Sequence, residues 1–105
     1  MRDGTSVESS HRVDAGWRAF DGHFPGAPVL PGAMLLAIVL REIERHGLLA
    51  GVALQVQQVK FLAPVGPGRT LRIRLDVHHG GVAFSAHDGD TLVARGRVAG
   101  DAEAP

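Results

Sequence analysis

The hydrophobic positions of this chain change their period about halfway along it. Gly32 to His46 contains no later helix breaker, Pro31 suits the first helical position, and Gly47 suits a C-terminal cap. Residues 33–40 are apolar on every side, so these two turns are expected to be enclosed, with only the charged turns after them in water. The pattern predicts one long buried helix.

Beyond that segment, hydrophobic residues recur at every second position. Residues 71–78 alternate strictly between aliphatic and polar side chains, which is typical of a strand with one buried face. Residues 52–61 follow the same rule until the apolar phase slips by one position at Gln57 and Gln58. A slip of this kind predicts a β-bulge or bend in a long strand.

Turn residues divide the rest of the chain into short strands. Gly80-Gly81 and Asp88-Gly89 are hairpin signals on either side of residues 82–87, and a last strand is expected at 91–99. A weaker alternation at 7–14 suggests a strand before the helix. Together these elements predict an α+β fold in which a curved antiparallel sheet wraps one long buried helix. The sheet is expected to be a meander of about four strands.

Composition narrows the class of protein. The chain has 105 residues, 45% of them hydrophobic and 21% charged, which predicts one globular domain over residues 1–105 with frayed tails at 1–6 and 100–105. Eleven basic and eleven acidic residues cancel, so no overall field favours nucleic acid or a membrane as a partner. There is no cysteine and no apolar run long enough for a membrane span, so a cytoplasmic protein is expected.

The most unusual segment is FDGHFPGAPVLPG at residues 20–32, immediately before the predicted helix. Rigid Pro and permissive Gly residues around a single His are what a loop needs to hold an imidazole against a narrow apolar channel. Loops of Gly and Pro before a helix are also common in purely structural roles. On composition alone the two interpretations are equally favoured.

Two motifs resemble one known family. GHFPGAPVLPG at residues 22–32 resembles the signature of the beta-hydroxyacyl-acyl carrier protein dehydratases, and VKFLAPVGPG at 59–68 resembles their strand-and-turn segment. The likeness extends from about residue 13 to residue 99. It implies the hotdog fold, a dimer with substrate tunnels at its interface, and an acyl chain carried on the phosphopantetheine of an acyl carrier protein. It implies no metal or redox cofactor.

The resemblance also assigns roles to individual residues. The motif histidine, His23, becomes the general acid or base, and the backbone N–H of Gly32 polarises the thioester carbonyl. Such roles suit a group that titrates near neutrality beside an unpaired donor at a helix N-terminus. The acyl tunnel is expected to be lined by Phe24, Pro28, Val29, Leu30, Ala33, Leu36 and Ala37.

One residue departs from the family pattern. The family has an Asp or Glu fourteen positions after its histidine, contributed by the partner chain's helix, and that position is Ala37 here. Glu42 lies about 140° further round the helix and Glu44 lies on a similar face about 10 Å along the axis, so neither replaces the acid without rearrangement. Asp21 is a further candidate, although an Asp in a loop more often serves a turn.

Three functions therefore stay open. The first is a 3-hydroxyacyl-carrier dehydratase of fatty acid, polyketide or related lipid synthesis that uses His23. The second is a catalytically incomplete subunit or acyl-carrier binding module, which would form a full site only in a heterodimer with an acid-bearing paralogue. The third is a hotdog thioesterase, which the HFPG motif disfavours.

Two further groups of residues suggest a function but also have a simpler structural explanation. The remaining histidines form no i, i+4 pair with one another, so no metal site is expected. A set of basic residues on predicted strands is either a docking face for an acidic carrier protein or an ordinary solvated sheet face, the latter slightly favoured. The two groups are His11, His46, His78, His79 and His87, and Lys60, Arg69, Arg72, Arg74, Arg95 and Arg97.

Overall fold

A single antiparallel sheet of five strands lies against one α-helix in the computed structural model, which describes residues 4–16, 29–51 and 53–101. The side chains of the sheet's inner face and one side of the helix form a shared hydrophobic core. The elements are β1 (Ser6–Arg12), α1 (Gly32–Arg45), β2 (Ala53–Phe61), β3 (Thr70–His78), β4 (Gly81–Asp88) and β5 (Thr91–Asp101).

The strands are ordered β1-β3-β4-β5-β2 across the sheet. Strands β3, β4 and β5 form a meander through the two predicted hairpins, but the expected meander of four consecutive strands is wrong. Strand β2 pairs with the far side of β5, and β1 pairs with the outer side of β3. The chain therefore crosses the sheet between β2 and β3, which places β1 and β2 at opposite edges.

Alternation along the strands separates the core from the outer face. Leu71, Ile73, Leu75 and Val77 of β3 are buried, while the polar residues between them point away from the helix. Helix α1 meets this inner face with a stripe of residues spaced by four, Leu35, Val39 and Ile43. Fully burying one such side chain contributes about 2 kcal/mol. The expected architecture, one helix wrapped by a curved antiparallel sheet, is confirmed.

The predicted enclosure of the first helical turns is wrong for the single chain. Ala33, Met34 and Ala37 are exposed, and Met34 retains 37% of its accessible area. Conversely, Glu42 lies in the turns expected to face water and is completely buried. The sheet covers one side of α1 only, so an apolar strip stays uncovered on the other side near the N-terminus of the helix.

The phase slip in β2 is confirmed as a register shift between Val56 and Gln58, where the strand pairs with β5. The additional residue is Gln57, whose Oε1 accepts a hydrogen bond of 3.2 Å from Arg97 Nε. Across the same strand pair, a Cβ atom on Gly96 would overlap the backbone oxygen of Gln58. A glycine is therefore required where β5 passes the bulge.

The helix and strands begin and end within one or two residues of the positions that the Gly and Pro residues predicted. Pro31, predicted as the first helical residue, is instead the N-cap, so the helix begins one residue later, at Gly32. Gly47 has φ +69°, as a C-terminal glycine cap needs. Strand β5 continues to Asp101, so Gly100 belongs to the sheet and not to a frayed tail. None of the helical residues in the described ranges forms a segment long and apolar enough to cross a bilayer.

Candidate active site

The two motif segments singled out in the sequence meet at the N-terminus of α1. The amide of Leu30 donates a 2.7 Å hydrogen bond to the carbonyl oxygen of Val65, and the ring of Phe61 lies against Gly32. These contacts join the end of the Gly/Pro segment to the end of β2 and the turn after it. Two segments about thirty residues apart in the sequence thus form one continuous surface beside the N-terminus of α1.

Glycine at position 32 allows the ring of Phe61 to lie directly against the backbone. A Cβ atom at this position would lie 2.8 Å from Cζ of Phe61, closer than real Cβ atoms approach carbon. The Pro31 carbonyl accepts the helix's first bonds, from the amides of Met34 and Leu35, and no side chain caps the helix. Within the described residues the Gly32 N–H has no acceptor, so it is an open donor at the positive end of the helix dipole.

A cavity of about 300 Å³ opens beside this donor. Val29 and Leu30, both predicted as tunnel residues, line it, and the amides of Leu62 and Ala63 are fixed to the carbonyl of Val93 at 2.8 and 3.3 Å. The walls are apolar, which suits a hydrocarbon chain. The full lining is Val29, Leu30, Gly32, Leu35, Phe61, Leu62, Ala63, Pro64 and Val65.

A second cavity, of about 290 Å³, lies between β1 and the exposed side of α1. Ala37, the position where the resemblance calls for an acid, forms part of its wall. Two other predicted tunnel residues line neither cavity, because Leu36 packs against the core and Ala33 is exposed outside both. The lining is His11, Arg12, Met34, Ala37, Ile38 and Arg41.

These two cavities lie on different sides of α1. Gly32 and Ala37 are five residues apart, which places them about 140° apart around the helix and about 7.5 Å apart along it. One chain therefore presents an open N–H to one side and the Ala37 wall to the other. The predicted residues His23, Phe24 and Pro28, with Asp21, lie outside the described residues.

Behind the Ala37 cavity is a buried carboxylate, that of Glu42. Its Oε2 lies 2.7 Å from Nε2 of His11 and 3.0 Å from Nε of Arg45, and its Oε1 lies 3.3 Å from Nε2 of His46. Burial raises the pKa of Glu42, but hydrogen bonds from Arg45, Ser9 and His11, with the charge of His11, lower it from 4.5 to about 2. The carboxylate is therefore ionised and held by basic neighbours.

This arrangement engages Glu42 as a partner of His11 and Arg45, and Glu42 does not line the cavity of Ala37. Glu44 is exposed on the surface of the helix. Among the residues with described positions, no group of three or more His, Cys, Asp or Glu side chains is arranged to hold a metal ion.

His11 was not identified as a site residue from the sequence. Its position in β1 places it on the inner face together with Val7 and Ser9, opposite Leu71 of β3. The signal was present in the alternation, since His11 has the same phase as Val7. A single polar residue in a weak strand pattern gave no reason to connect it with a helix thirty residues later.

The basic residues separate into two settings. Lys60 and Arg95 are direct cross-strand partners on the outer face of the sheet, with Arg97 in the neighbouring row. In the described parts of the chain, Lys60 and Arg95 have no acidic partner. By contrast, Arg69 lies before β3 and pairs with Asp88 at 2.9 Å.

Comparison with known proteins identifies the class to which this fold and site belong. Residues 1–97 match the ApeI-like family, described as ApeI dehydratase. That match covers most of the chain, so the chain belongs to the ApeI-like dehydratase family, and its fold is the hotdog fold.

Individual relatives support the same family. The chain is 32% identical over 110 residues to the 3-hydroxyacyl-(acyl-carrier-protein) dehydratase FabZ of Chlamydia trachomatis, which covers 89% of this chain and 70% of the relative. Among solved structures, the dehydratase heterocomplex ApeI:P of Xenorhabdus doucetiae contains a chain with 25% identity and a TM-score of 0.78, covering 90% of this chain and 85% of that one. An uncharacterised protein of Erwinia carotovora subsp. atroseptica has 31% identity and a TM-score of 0.73, covering 98% and 90%.

Proposed function

We propose that this protein dehydrates a 3-hydroxyacyl thioester to the trans-2-enoyl thioester. The observation that carries the proposal is the open N–H of Gly32 beside the apolar 300 Å³ cavity, at the end of the motif that contains His23. A thioester carbonyl oxygen placed on that N–H gains negative charge as the neighbouring carbon loses a proton. A fixed donor at a helix N-terminus stabilises that developing charge.

In this proposal His23 is the acid or base of the reaction. Its imidazole removes a proton from C2 of the substrate, and the electron pair of that C–H bond forms the C2=C3 double bond. The bond between C3 and the hydroxyl oxygen breaks, and the hydroxyl takes up a proton, from the protonated His23 or from a second acid, and leaves as water. An imidazole suits the first transfer because it titrates near neutrality.

The substrate is proposed to arrive on an acyl carrier protein, as the name of the Chlamydia relative describes for that enzyme. The supporting feature is the outer sheet face, where three basic residues, Lys60, Arg95 and Arg97, line a cavity of about 420 Å³. One acidic residue, Asp76, also lines this cavity, but it is paired with Arg74. Like charges placed directly opposite on neighbouring strands are unfavourable unless an anion accompanies them. An acidic carrier protein would supply that anion.

The proposed assembly is a homodimer. The exposed apolar side of α1, with Met34 and Ala37, and the exposed side chains of Val56 and Phe61 are surfaces that a second copy would cover. Because the Gly32 cavity and the Ala37 cavity lie on different sides of α1, each complete site in such a dimer would combine one cavity from each chain.

A second candidate function rests on Ala37. Without a carboxylate there, the chain would be a subunit that completes its site with an acid-bearing partner, or a module that binds acyl carriers without turnover. The Xenorhabdus structure is described as a dehydratase heterocomplex, ApeI:P, which supports this second candidate.

The test is a dehydration assay on 3-hydroxyacyl carrier proteins of several chain lengths, with the enoyl product followed by mass. Wild type is expected to turn over, and His23→Ala to lose about 10²- to 10⁴-fold in rate. His78→Ala removes an exposed imidazole at the end of β3 and serves as the matched control. If wild type is inactive and Ala37→Glu produces enoyl thioester, the second candidate replaces the first. If neither does so as a folded protein, the missing acid at position 37 does not explain the inactivity and the dehydratase proposal is overturned.

A further inference from the structure

The cavity that lacks the family's carboxylate contains another proton donor. Ala37 and His11 line the same 290 Å³ space, one from α1 and the other from β1. We propose that His11, held in place by Glu42, protonates the leaving hydroxyl in this protein and so takes the part of the missing acid. This inference rests on the proposed dehydratase function.

The orientation of the imidazole is the first support. Nε2 of His11 is buried and lies 2.7 Å from Oε2 of Glu42, an ion-pair contact without the geometry of a directed hydrogen bond, whereas the side chain as a whole keeps 25% of its accessible area. The exposed part of the ring therefore belongs to atoms other than Nε2. Because Nε2 is buried against the carboxylate, Nδ1 is the ring nitrogen left for chemistry.

Glu42 supplies the second support as a positioning residue. Its carboxylate is completely buried, and Arg45 holds both oxygens, with Nε 3.0 Å from Oε2 and Nη2 3.1 Å from Oε1. A carboxylate fixed in this way fixes the tautomer and ring orientation of the histidine it contacts.

The other charged groups around this pair are basic. Arg12 and Arg41 share the cavity with His11, while His46 contacts the second carboxylate oxygen from the end of α1. Glu42 is therefore the one acidic group described at this location, and it faces the imidazole. A carboxylate introduced at position 37 would project into the same cavity that His11 faces.

The proposed reaction uses one histidine from each of two chains. His23 of one protomer takes the C2 proton, and His11 of the partner gives its proton to the C3 hydroxyl as the C–O bond breaks and water leaves. His23 ends protonated and His11 ends neutral, so one proton returns to His11 from solvent and one leaves His23 before the next turnover. The supply in trans is part of the proposal, and its support is that the Gly32 cavity and the His11 cavity lie on different sides of α1.

The experiment compares wild type with His11→Gln, Ala37→Glu and the double variant. Glutamine keeps an N–H donor for Glu42 but transfers no proton, so the fold is retained and the chemistry is removed. We expect His11→Gln to lose about 10²- to 10⁴-fold in kcat with KM little changed, and its pH–rate profile to lose one limb. Adding Ala37→Glu is expected to restore turnover to the His11→Gln variant.

Each result has a distinct meaning. Full activity of His11→Gln overturns the role of His11 and leaves the dehydratase function intact. Activity lost in His11→Gln and not restored by Ala37→Glu, in protein of unchanged Tm, shows that His11 does not replace the acid. Wild type that is inactive until Ala37→Glu is introduced overturns the role of His11 and supports the incomplete-subunit function, whereas inactivity of both overturns both proposals.

A separate experiment tests whether His11 of one chain donates its proton in the site that contains His23 of the partner chain. Mixing inactive His23→Ala with inactive His11→Gln under conditions that exchange subunits gives dimers in which one of two sites has both histidines. About a quarter of wild-type activity is expected after random exchange, because about half of the dimers are mixed. No recovery in dimers shown by mass to be mixed would place both histidines in one chain and overturn the inference.

Discussion

The Nε2 atom of His11 and the Oε2 atom of Glu42 lie 2.7 Å apart, which joins the edge strand β1 to the third turn of α1 through a buried charge. A buried carboxylate is costly unless it is paired, and Glu42 has Arg45 and His46 as well as His11 around it. The pairing makes β1 and α1 dependent on one another for stability.

Glu42 is expected to make the protein sensitive to acid. Its pKa in the folded state, about 2, lies below its ordinary value of 4.5. The stabilisation is therefore complete above pH 4.5 and disappears as the pH falls through about 2, with a total of about 3 kcal/mol. The measurement is the free energy of unfolding from urea titrations between pH 6 and pH 2.

The variant for this prediction is Glu42→Gln, which should lose stability at neutral pH and show a flatter dependence on acid. Glu44→Gln on the exposed face of the same helix is the matched control and should follow wild type. The pKa of Asp76 is also lowered, by hydrogen bonds from Arg74 and Ser6, so the difference between variant and wild type is the quantity to compare. Parallel curves for Glu42→Gln and wild type would contradict the assignment.

Gly32→Ala is expected to destabilise the protein and close the apolar cavity. The added methyl would lie 2.8 Å from the Phe61 ring, and overpacking of this kind costs about 1–3 kcal/mol. Phe61 is half exposed, so Phe61→Ala in the same chain should relieve the clash. Thermal melts of the two single variants and the double variant measure the coupling, and additive changes in stability would show that the two residues do not clash.

Gly96→Ala should behave differently. A methyl group there would overlap the backbone oxygen of Gln58 and would also lie 2.7 Å from the ring of Phe84. Shortening Phe84 removes one of these contacts and leaves the backbone overlap. Phe84→Ala is therefore expected not to restore Gly96→Ala, and recovery of the wild-type Tm in that double variant would refute the role assigned to the bulge.

The basic sheet face is expected to set the affinity for the carrier protein. Reversing the charge of Lys60 and Arg95 together should weaken binding at least tenfold and reduce its dependence on salt. Arg69→Glu, which makes the same kind of change beside Asp88, is the control. Calorimetry at two salt concentrations gives both quantities, and equal losses for the two sets of variants would argue against a docking role.

A substitution at Met34 tests the proposed dimer interface. Its side chain is 37% exposed on the uncovered side of α1, and a charge placed there would be buried in the proposed dimer. Met34→Asp is expected to shift sedimentation toward the monomer and to abolish turnover, while leaving the far-ultraviolet spectrum unchanged. A dimer of unchanged affinity would exclude this side of α1 from the interface.

Local patterns determined much of this fold. The alternation in β3 and the phase slip at Gln57 and Gln58 predicted a strand and a bulge that the structure contains, since both depend on neighbours in the chain. The order of the strands was not predictable in the same way, because nothing within β2 indicates that it pairs with β5 and not with β3.

The candidate site likewise has one part that the sequence predicted and one part that it did not. The surroundings of Gly32 followed from a motif that is contiguous in sequence. His11 and Glu42 are brought together only by tertiary packing, and Glu42 lies in a turn whose charged neighbours suggested solvent. Sequence patterns identify which face of an element is apolar, but they do not show which single polar residue the opposing element will meet.

The helix α1 also fixes an angle between two separate surfaces. Deleting or inserting one residue between Gly32 and Ala37 would turn one surface relative to the other by about 100° and shift it by about 1.5 Å. Loops elsewhere in the chain tolerate such changes in length, whereas this five-residue spacing does not. Natural variation and directed evolution in this protein are therefore expected to proceed by exchange of side chains on either surface, with the length of the first helical turns held constant.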